Sequence, residues 1–217
     1  MLEVVLMNRR SWSTGPHMLS PQLSAFIRNW RATNFRERLD AIKGSYLMAK
    51  KPFERELQAI EEAHHKASPE DHDPEVWTYQ DHLSYRAAEV LADLADLRNA
   101  FAVMIYHRWE RSAHQWIEIS GSPNHEDITK KLTAAGISFH EDLKMLQLLA
   151  NVAKHNSAKY GPKLFASHRG LFKVGFDPQG TSPTGKMPEH VDWAGNLALT
   201  DEHIPAFCDI VAQSSPR

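Results

Sequence analysis

Apolar residues recur at helical spacing along most of the chain. Between positions 35 and 60 the gaps of three, four and seven residues predict a helical stripe, formed by Phe35, Leu39, Ile42, Tyr46, Phe53, Leu57 and Ile60. Ser20 followed by Pro21 is typical of an N-cap and a first helical position. Helix is therefore predicted over about 21–66, with a break near Thr33-Asn34 and a kink or division at Pro52.

The longest periodic segment follows at about 74–118. The stretch SPEDHDP at 68–74 predicts a turn before it, because it contains two cap-plus-proline signals. The apolar face of this helix contains Leu83, Val90, Leu94, Leu97, Phe101, Ile105, Trp109 and Trp116. The stretch SGSPNH ends it, and a short helix is predicted over about 124–135, ending at Gly136.

The last third of the chain predicts two more helices separated by a loop. Ser138 and Glu141 have the spacing of a capping box at the start of a helix that is limited by Gly161-Pro162. Its predicted core face consists of Leu143, Leu146, Leu149, Ala150 and Ala153. The segment 170–200 has no sustained period and predicts an irregular loop, with a small hairpin near Gly195-Asn196. Thr200 is the expected cap of a closing helix over 201–213.

These elements predict an all-α fold. The expected architecture is a helical bundle with two long antiparallel helices, a long C-terminal loop and a closing helix. Residues 1–20 are expected to form a flexible leader, and residues 21–217 a single helical domain. An apolar fraction of 42% and a charged fraction of 24% are ordinary for a soluble globular protein.

Charge and cysteine content narrow the functional classes. A net charge of -2 gives no global electrostatic signature of nucleic-acid binding, although a local basic cluster remains compatible with it. Cys208 is the only cysteine, so the chain has no intrachain disulfide or cysteine-based zinc site. This composition fits a reducing cytosol. Because no apolar run approaches the ~20 residues of a membrane span, we expect a cytoplasmic protein without a membrane partner.

Three polar residues interrupt the apolar pattern in LQLLANVAKHNSAKYG, residues 146–161. Asn151 and His155 lie four residues apart and share a helix face, with Lys154 at its edge. They could form a small anion site in which His155 moves a proton, Lys154 meets a phosphate oxygen and Asn151 orients a hydroxyl or the imidazole. The alternative is a solvated face, where Lys and His offset the helix dipole by ~0.3–1 kcal/mol.

A second unusual group lies in RNAFAVMIYHRWERSAHQW, residues 98–116. Arg98 falls within the apolar stripe, where a charged residue is rarely buried without a partner. His107, Glu110 and His114 have the spacing of one helix face. The alternative for these three is an exposed polar face in which Glu110 pairs with Arg111 or His114.

The chain contains one partial metal-binding pattern. The stretch EEAHH at 61–65 contains Glu-x-x-His spacings, Glu61/His64 and Glu62/His65. Carboxylate-bridged metal bundles need two such motifs on different helices plus two further Glu, and no second motif occurs. No Walker loop, Gly-rich dinucleotide turn or His-Glu-x-x-His is present. No metal or cofactor is therefore predicted, and a metal-dependent enzyme using Glu62 and His65 is kept only as an alternative.

Two segments together resemble the HEPN superfamily (higher eukaryotes and prokaryotes nucleotide-binding). In its phage-defence, toxin-like and uncharacterised bacterial branches, one long helix reads approximately Arg-x-x-Phe-x-x-x-x-Tyr-x-x-x-Glu, matched here by Arg98, Phe101, Tyr106 and Glu110. A later helix ends in Asn-x-x-Lys-His in some branches, and NVAKH matches it. The resemblance covers roughly residues 80–215.

The resemblance implies a metal-independent endoribonuclease in a toxin-antitoxin or phage-defence setting. In such a homodimer, His155 would remove a proton from a ribose 2′-hydroxyl, and His155 of the second copy would protonate the leaving oxygen. Lys154 and Arg98 would stabilise the phosphoryl charge, while Asn151 would hold the geometry.

The same resemblance implies that Glu110, His107 and Tyr106 support the site. It also implies RNA or a nucleotide as ligand and an antitoxin or defence protein as a possible partner. Ala150 occupies the position of the family arginine that contacts the phosphate. Either Lys154 or Arg98 replaces that arginine, or the domain is a non-catalytic module that binds nucleotide, RNA or a partner protein.

Overall fold

A computed structural model of the chain describes residues 20–66, 78–180 and 190–216, and they are helical with irregular connections. The helices are α1 (Pro21–Ala49), α2 (Lys51–Lys66), α3 (Tyr79–Trp116), α4 (His125–Ala134), α5 (Leu143–His155), α6 (Gly161–Ser167), a 3-10 turn (Arg169–Leu171) and α7 (His203–Gln213). The predicted all-α class is confirmed. The predicted leader, apart from Ser20, and the turn at 68–74 lie outside the described residues. Within the described ranges, none of the helices has the length and apolar character needed to cross a bilayer.

Helix α1 begins as predicted and continues further than predicted. The hydroxyl of Ser20 accepts a hydrogen bond from the backbone of Leu23 at 3.2 Å, and Pro21 occupies the first helical position. The expected break near Thr33-Asn34 is wrong. The Asn34 side chain accepts a hydrogen bond from Arg38 Nε at 3.0 Å one turn later, so it does not compete for the helix backbone. The predicted division at Pro52 is confirmed, because α1 ends at Ala49 and α2 begins at Lys51.

Helix α3 begins at Tyr79 rather than at 74. Thr78 and Asp81 form a capping box in which each side chain accepts a hydrogen bond from the other residue's backbone, at 3.2 and 3.0 Å. This box satisfies two helix-terminal N–H groups, which gives the start of the helix a local cause.

The predicted apolar face of α3 faces the core. Six of its eight members are buried and the other two, Leu97 and Phe101, are partly buried. Phe101 contacts Tyr46 of α1 edge-on, and Trp116 contacts Phe35 in the same way. Since Tyr46 follows Phe35 while Phe101 precedes Trp116, α1 and α3 run antiparallel, as predicted.

The main core surrounds α3, which contacts α1, α4, α5 and α7. Trp109 is fully buried at its centre, and its indole Nε1 donates to the backbone oxygen of Ser214 at 2.9 Å. A smaller apolar cluster of Ile60, Leu83 and Val90 joins α2 to the first half of α3. Helix α3 therefore contributes residues to both apolar clusters.

Helix α5 differs from its prediction at both ends. The expected Ser138–Glu141 capping box is wrong, because α5 begins at Leu143 after Asp142, which makes no capping side-chain bond. The segment before α5 is bonded to the C-terminal part of the chain, since the His140 backbone N–H donates to Ser214 Oγ at 2.9 Å. Helix α5 ends at His155, the next residue Asn156 adopts a left-handed conformation at φ 45°, and residues 161–167 form α6. Four of the five predicted core residues of α5 are buried, and Ala153 is partly buried.

The predicted loop at 170–200 is irregular where it is described. It is nevertheless packed, because rings of Phe165, Phe172, Phe176 and Trp193 contact one another with centroids 5.3–6.3 Å apart. The expected hairpin near Gly195-Asn196 is wrong, since Leu197 forms its antiparallel bridge with the distant Phe172. This pairing joins two distant parts of the loop.

Helix α7 begins at His203, two residues later than predicted. Thr200 does not cap the helix through its side chain; its backbone N–H donates to His203 Nδ1 at 2.9 Å. Asp201, which was expected in the first helical turn, precedes the helix and faces α1 and α3 instead.

Candidate functional site

The three predicted residues of α5 lie at the exposed end of that helix. The Asn151 side-chain amide donates to the Gln147 backbone oxygen at 2.8 Å, one turn earlier. Lys154 and His155 are exposed, and within the described ranges neither makes a hydrogen bond or an ion pair with another side chain. His155 is therefore free to meet a ligand or a second chain, but no neighbouring side chain orients it.

Arg98 is committed to a different cluster. Its guanidinium donates to Asp201 Oδ1 from Nε and Nη2 at 2.9 and 2.7 Å, and Nε also lies 3.3 Å from the Tyr46 hydroxyl. The other oxygen of Asp201 accepts from Lys50 Nζ at 2.6 Å. Burial favours the neutral carboxyl, yet the hydrogen bonds from Lys50, Tyr46 and Arg98 outweigh it and hold the pKa of Asp201 far below its usual range.

The structure therefore places Arg98 in a partly buried ion-pair cluster joining α1, α3 and the start of α7. It shows no bond from Arg98 to Asn151, Lys154 or His155. The predicted convergence of these four side chains on one phosphate is absent from the described contacts.

The predicted supporting residues divide into two groups. His107 Nδ1 and Glu110 Oε2 lie 2.9 Å apart on the half-buried surface of α3, one turn from each other. Glu110 pairs with His107, whereas the sequence suggested Arg111 or His114. Tyr106 points inward instead, and its hydroxyl lies 3.1 Å from Nδ1 of buried His125 on α4.

A cleft adjoins this Tyr106–His125 pair. It has a volume of about 330 Å³ and lies between the start of α4, the middle of α5 and the start of α6. The cleft is lined by Asn124, His125, Glu126, Lys144, Gln147, Leu148, Lys159, Tyr160 and Lys163. We refer to it as the lysine cleft.

Gln147 forms the floor of the lysine cleft. The residue is 7% exposed, and its side-chain oxygen Oε1 is buried without a hydrogen-bond partner among the described residues. Nearly all buried polar atoms in folded proteins have a partner, because leaving one unpaired costs ~1–3 kcal/mol. Because Gln147 is among the residues that line the cleft, a donor group of a bound ligand could supply the missing partner of this oxygen.

His125 supplies a neutral donor beside Gln147. Burial, helped by the charge of Lys144, lowers the pKa of His125 to about 4, so the imidazole is neutral near pH 7. Burial also raises the pKa of Tyr106, which keeps its phenol protonated. A protonated phenol can donate to Nδ1 of His125; in that tautomer the imidazole proton is on Nε2, where it can serve as a hydrogen-bond donor.

The rim of the lysine cleft is cationic. Lys144, Lys159 and Lys163 are exposed and line it, against one lining carboxylate, Glu126. Glu126 Oε1 lies 3.4 Å from Lys144 Nζ, whereas Lys159 and Lys163 have no ion-pair partner within the described ranges. Lys159 Nζ lies 5.3 Å from the centre of the Tyr160 ring. The cleft therefore combines excess positive charge with an aromatic side chain.

Sequence reasoning missed the residues of the lysine cleft. Two signals were present: Lys159 and Lys163 lie four residues apart, and Gln147 is the only polar residue in the run MLQLLA at 145–150. Neither signal indicates that α4 lies nearby, because that contact depends on how α4 and α5 pack on α3.

The alternative metal site on α2 lacks a ligand set. In the ranges that the structure describes, no group of three or more His, Cys, Asp or Glu residues could hold a metal ion. His64 instead lies near Ser84 Oγ at 3.4 Å, and Glu62 accepts from Gln58 at 3.1 Å.

Comparison with protein-family models, curated proteins and solved structures gives no match to this chain. The HEPN resemblance therefore depends on Arg98, Phe101, Tyr106, Glu110 and NVAKH alone and stays a prediction.

Proposed function

We propose that this chain is a binding module for a small phosphate-bearing ligand of the nucleotide class, held in the lysine cleft. The observation that carries the proposal is the unpaired, buried oxygen of Gln147 beneath a rim of three lysines. This function corresponds to the non-catalytic alternative that the sequence left open.

The side chains of the lysine cleft match two parts of such a ligand. The ammonium groups of Lys159 and Lys163 would neutralise a phosphate, and the neutral His125 would donate to one of its oxygens. The Gln147 oxygen needs a donor, which a phosphate dianion lacks but a ribose hydroxyl or a base amino group supplies. A volume of about 330 Å³ lies at the lower end of the ~300–1,000 Å³ range of small-molecule sites and suits a mononucleotide better than a longer polymer.

Calorimetric titration with adenosine and guanosine 5′-monophosphates tests this function. We expect saturable binding that weakens with added salt, whereas inorganic phosphate alone binds at least tenfold more weakly. The double variant Lys159→Gln/Lys163→Gln should lose at least tenfold in nucleotide affinity, because the rim loses two cations. Its matched control is Lys130→Gln/Lys131→Gln, which removes the same charge from exposed positions on α4 outside the cleft.

The variant Gln147→Leu distinguishes an effect on nucleotide binding from an effect on the stability of the fold. Removing the unpaired oxygen should leave the free energy of unfolding within about 1 kcal/mol of the original or raise it, while nucleotide binding weakens. Failure of both nucleotides to bind, or equal losses in the cleft and control double variants, would contradict the proposal.

The predicted ribonuclease activity remains a separate candidate, favoured by the exposure of Lys154 and His155 at the end of α5. It requires a second copy of the chain to supply the other His155. Incubating the purified protein with RNA in EDTA tests it, alongside measurement of oligomeric state by light scattering. Absence of cleavage, or cleavage that persists undiminished in His155→Ala, rejects this candidate without affecting nucleotide binding.

A further inference from the structure

A second concave surface is a groove between the antiparallel helices α1 and α3. It has a volume of about 560 Å³ and contains none of the residues that line the lysine cleft. Its floor includes Ile42, Phe101 and Met104, and Met104 is 41% exposed. We call it the arginine groove, because Arg38, Arg108 and Arg111 also line it.

The charge in the arginine groove is concentrated at one end. Phe101 contacts Tyr46, whereas Arg108 is close enough to Arg38 for the two charges to repel. The apolar end therefore lies near residues 45 and 101, and the cationic end near residues 38 and 108. At 1.5 Å per residue, the seven residues from 38 to 45 correspond to about 10 Å, or two helical turns.

Arg108 has no anionic partner at this end. Its Nε atom is buried without a hydrogen-bond partner among the described residues. Burial lowers the pKa of Arg108, and repulsion from Arg38 and Arg111 lowers it further. Arg38 donates to the neutral amide of Asn34, and exposed Arg111 has no ion-pair partner in the described parts of the chain. Three arginines thus converge with no carboxylate from the described residues bonded to them, which is an unfavourable arrangement until an anion joins them.

We propose that the arginine groove binds an acidic amphipathic helix of a partner protein. Carboxylates on that helix would meet the guanidinium groups with bidentate hydrogen bonds. Apolar side chains at i, i+3 or i+4 and i+7 would cover Ile42, Phe101 and Met104, as in other helix-in-groove complexes. A nucleic acid fits less well, because its phosphates would bind at the cationic end but leave the apolar floor uncovered.

Fluorescence polarisation with a labelled peptide tests this proposal directly. The probe is a 16-residue helical peptide with Leu at i, i+4, i+7 and i+11 and Glu at its other exposed positions. Two control peptides replace Glu by Lys or scramble the Leu positions. We expect saturable binding of the acidic amphipathic peptide at 50 mM salt, at least tenfold tighter than that of either control, and weaker binding as salt rises.

Variants of the protein locate the bound peptide. Arg111→Gln and Met104→Glu should each weaken binding at least fivefold, because they remove a cation and place a like charge on the floor. Arg55→Gln and Leu91→Glu are matched controls at exposed positions outside the groove and should change affinity less than twofold. Circular dichroism and thermal unfolding confirm that all four variants remain folded.

Several results would overturn the proposal. These are no saturable binding of the acidic peptide, equal binding of the Lys-substituted peptide, or losses in the control variants as large as in the groove variants. A single-stranded RNA dodecamer that binds more tightly than the peptide and is weakened by Arg111→Gln would also overturn it in favour of nucleic acid. Nucleotide binding in the lysine cleft should be unchanged in Arg111→Gln, so the two proposals fail independently.

Discussion

At the scale of single residues, two polar side chains interrupt apolar stripes and have different surroundings. Arg98 interrupts the core face of α3 and pairs with Asp201, which lies 103 positions later. Gln147 interrupts the core face of α5 and has an unpaired side-chain oxygen beside the lysine cleft. The first residue therefore contributes to the architecture, whereas the second indicates a binding site.

Asp201→Asn should lower the free energy of unfolding by about 1–3 kcal/mol at pH 7, because Arg98 and Lys50 lose their carboxylate. The pKa of Asp201 is lowered in the folded state. Its stabilising contribution is therefore complete above the unfolded value of about 4 and is lost as the pH falls toward the folded value. Urea unfolding of both proteins between pH 7 and pH 2.5 should show a difference that shrinks below about pH 4.

Asp209→Asn is the matched control for that prediction. Asp209 also pairs with a lysine, Lys43, at 2.7 Å, but its side chain is 60% exposed. Exposed ion pairs contribute ~0–1 kcal/mol, so this variant should change stability little. A loss of unfolding free energy as large as that of Asp201→Asn would show that the Arg98–Asp201–Lys50 cluster contributes no more to stability than an exposed ion pair.

At the scale of elements, α6 packs closely against the loop that follows it. The ring of Trp193 lies against the backbone of Gly161, where an added Cβ would overlap the indole. Trp193 also contacts Phe165 of α6, Phe172 and Phe176. The irregular segment is thus held by aromatic packing together with the isolated Phe172–Leu197 bridge.

Gly161→Ala should destabilise the protein by about 1–3 kcal/mol, the usual cost of overpacking a filled interior. Gly44→Ala is the opposite case, because a Cβ at this helical position meets no atom within 4 Å. It should stabilise the protein by about 0.5–1 kcal/mol through helix propensity. Chemical denaturation measures both, and equal effects of the two substitutions would refute the packing role of Trp193.

At the scale of the whole molecule, α7 closes the core that α1 and α3 begin. Ile204, Phe207, Cys208 and Val211 are all nearly or fully buried. The chain beyond α7 is also fixed, because Arg36 donates to the Pro216 backbone oxygen at 2.8 Å and Trp109 donates to that of Ser214. The C-terminal segment is therefore part of the folding unit rather than an appendage.

The reactivity of the Cys208 thiol measures how stably α7 packs on the core. The residue is fully buried, and burial raises the pKa of its thiol to about 12. Its reaction with 5,5′-dithiobis(2-nitrobenzoate) at pH 8 should therefore proceed only through unfolding, far more slowly than that of a free thiol. Phe207→Leu, at a cost of about 1 kcal/mol, should accelerate the reaction roughly fivefold.

Val174→Ala is the control for the thiol measurement, because Val174 is fully exposed. It should leave the rate of the Cys208 reaction unchanged. A thiol that reacts at the rate of a free cysteine in the native protein would contradict the closing role of α7.

Much of the fold follows from local signals. The Ser20-Pro21 cap, the division at Pro52 and the apolar face of α3 each depend on residues within a few turns of one another, so their spacing predicts them. The capping box expected at Ser138 failed because His140 bonds to Ser214 instead, a contact between segments far apart in the chain. The predicted hairpin failed for the same reason, since Leu197 pairs with Phe172.

The sequence by itself determined the all-α class and the long helices, because their apolar periodicity is encoded within each segment, whereas α6 and the starts of α5 and α7 were not predicted correctly. The partners of the polar residues were decided only by tertiary structure. Arg98 pairs with Asp201 rather than with His155, and Gln147 lines a cleft together with residues at the start of α4, since packing on α3 brings together side chains that spacing cannot relate. Helical period specifies which face of a segment is apolar, but only the packed arrangement specifies which polar groups share a cleft.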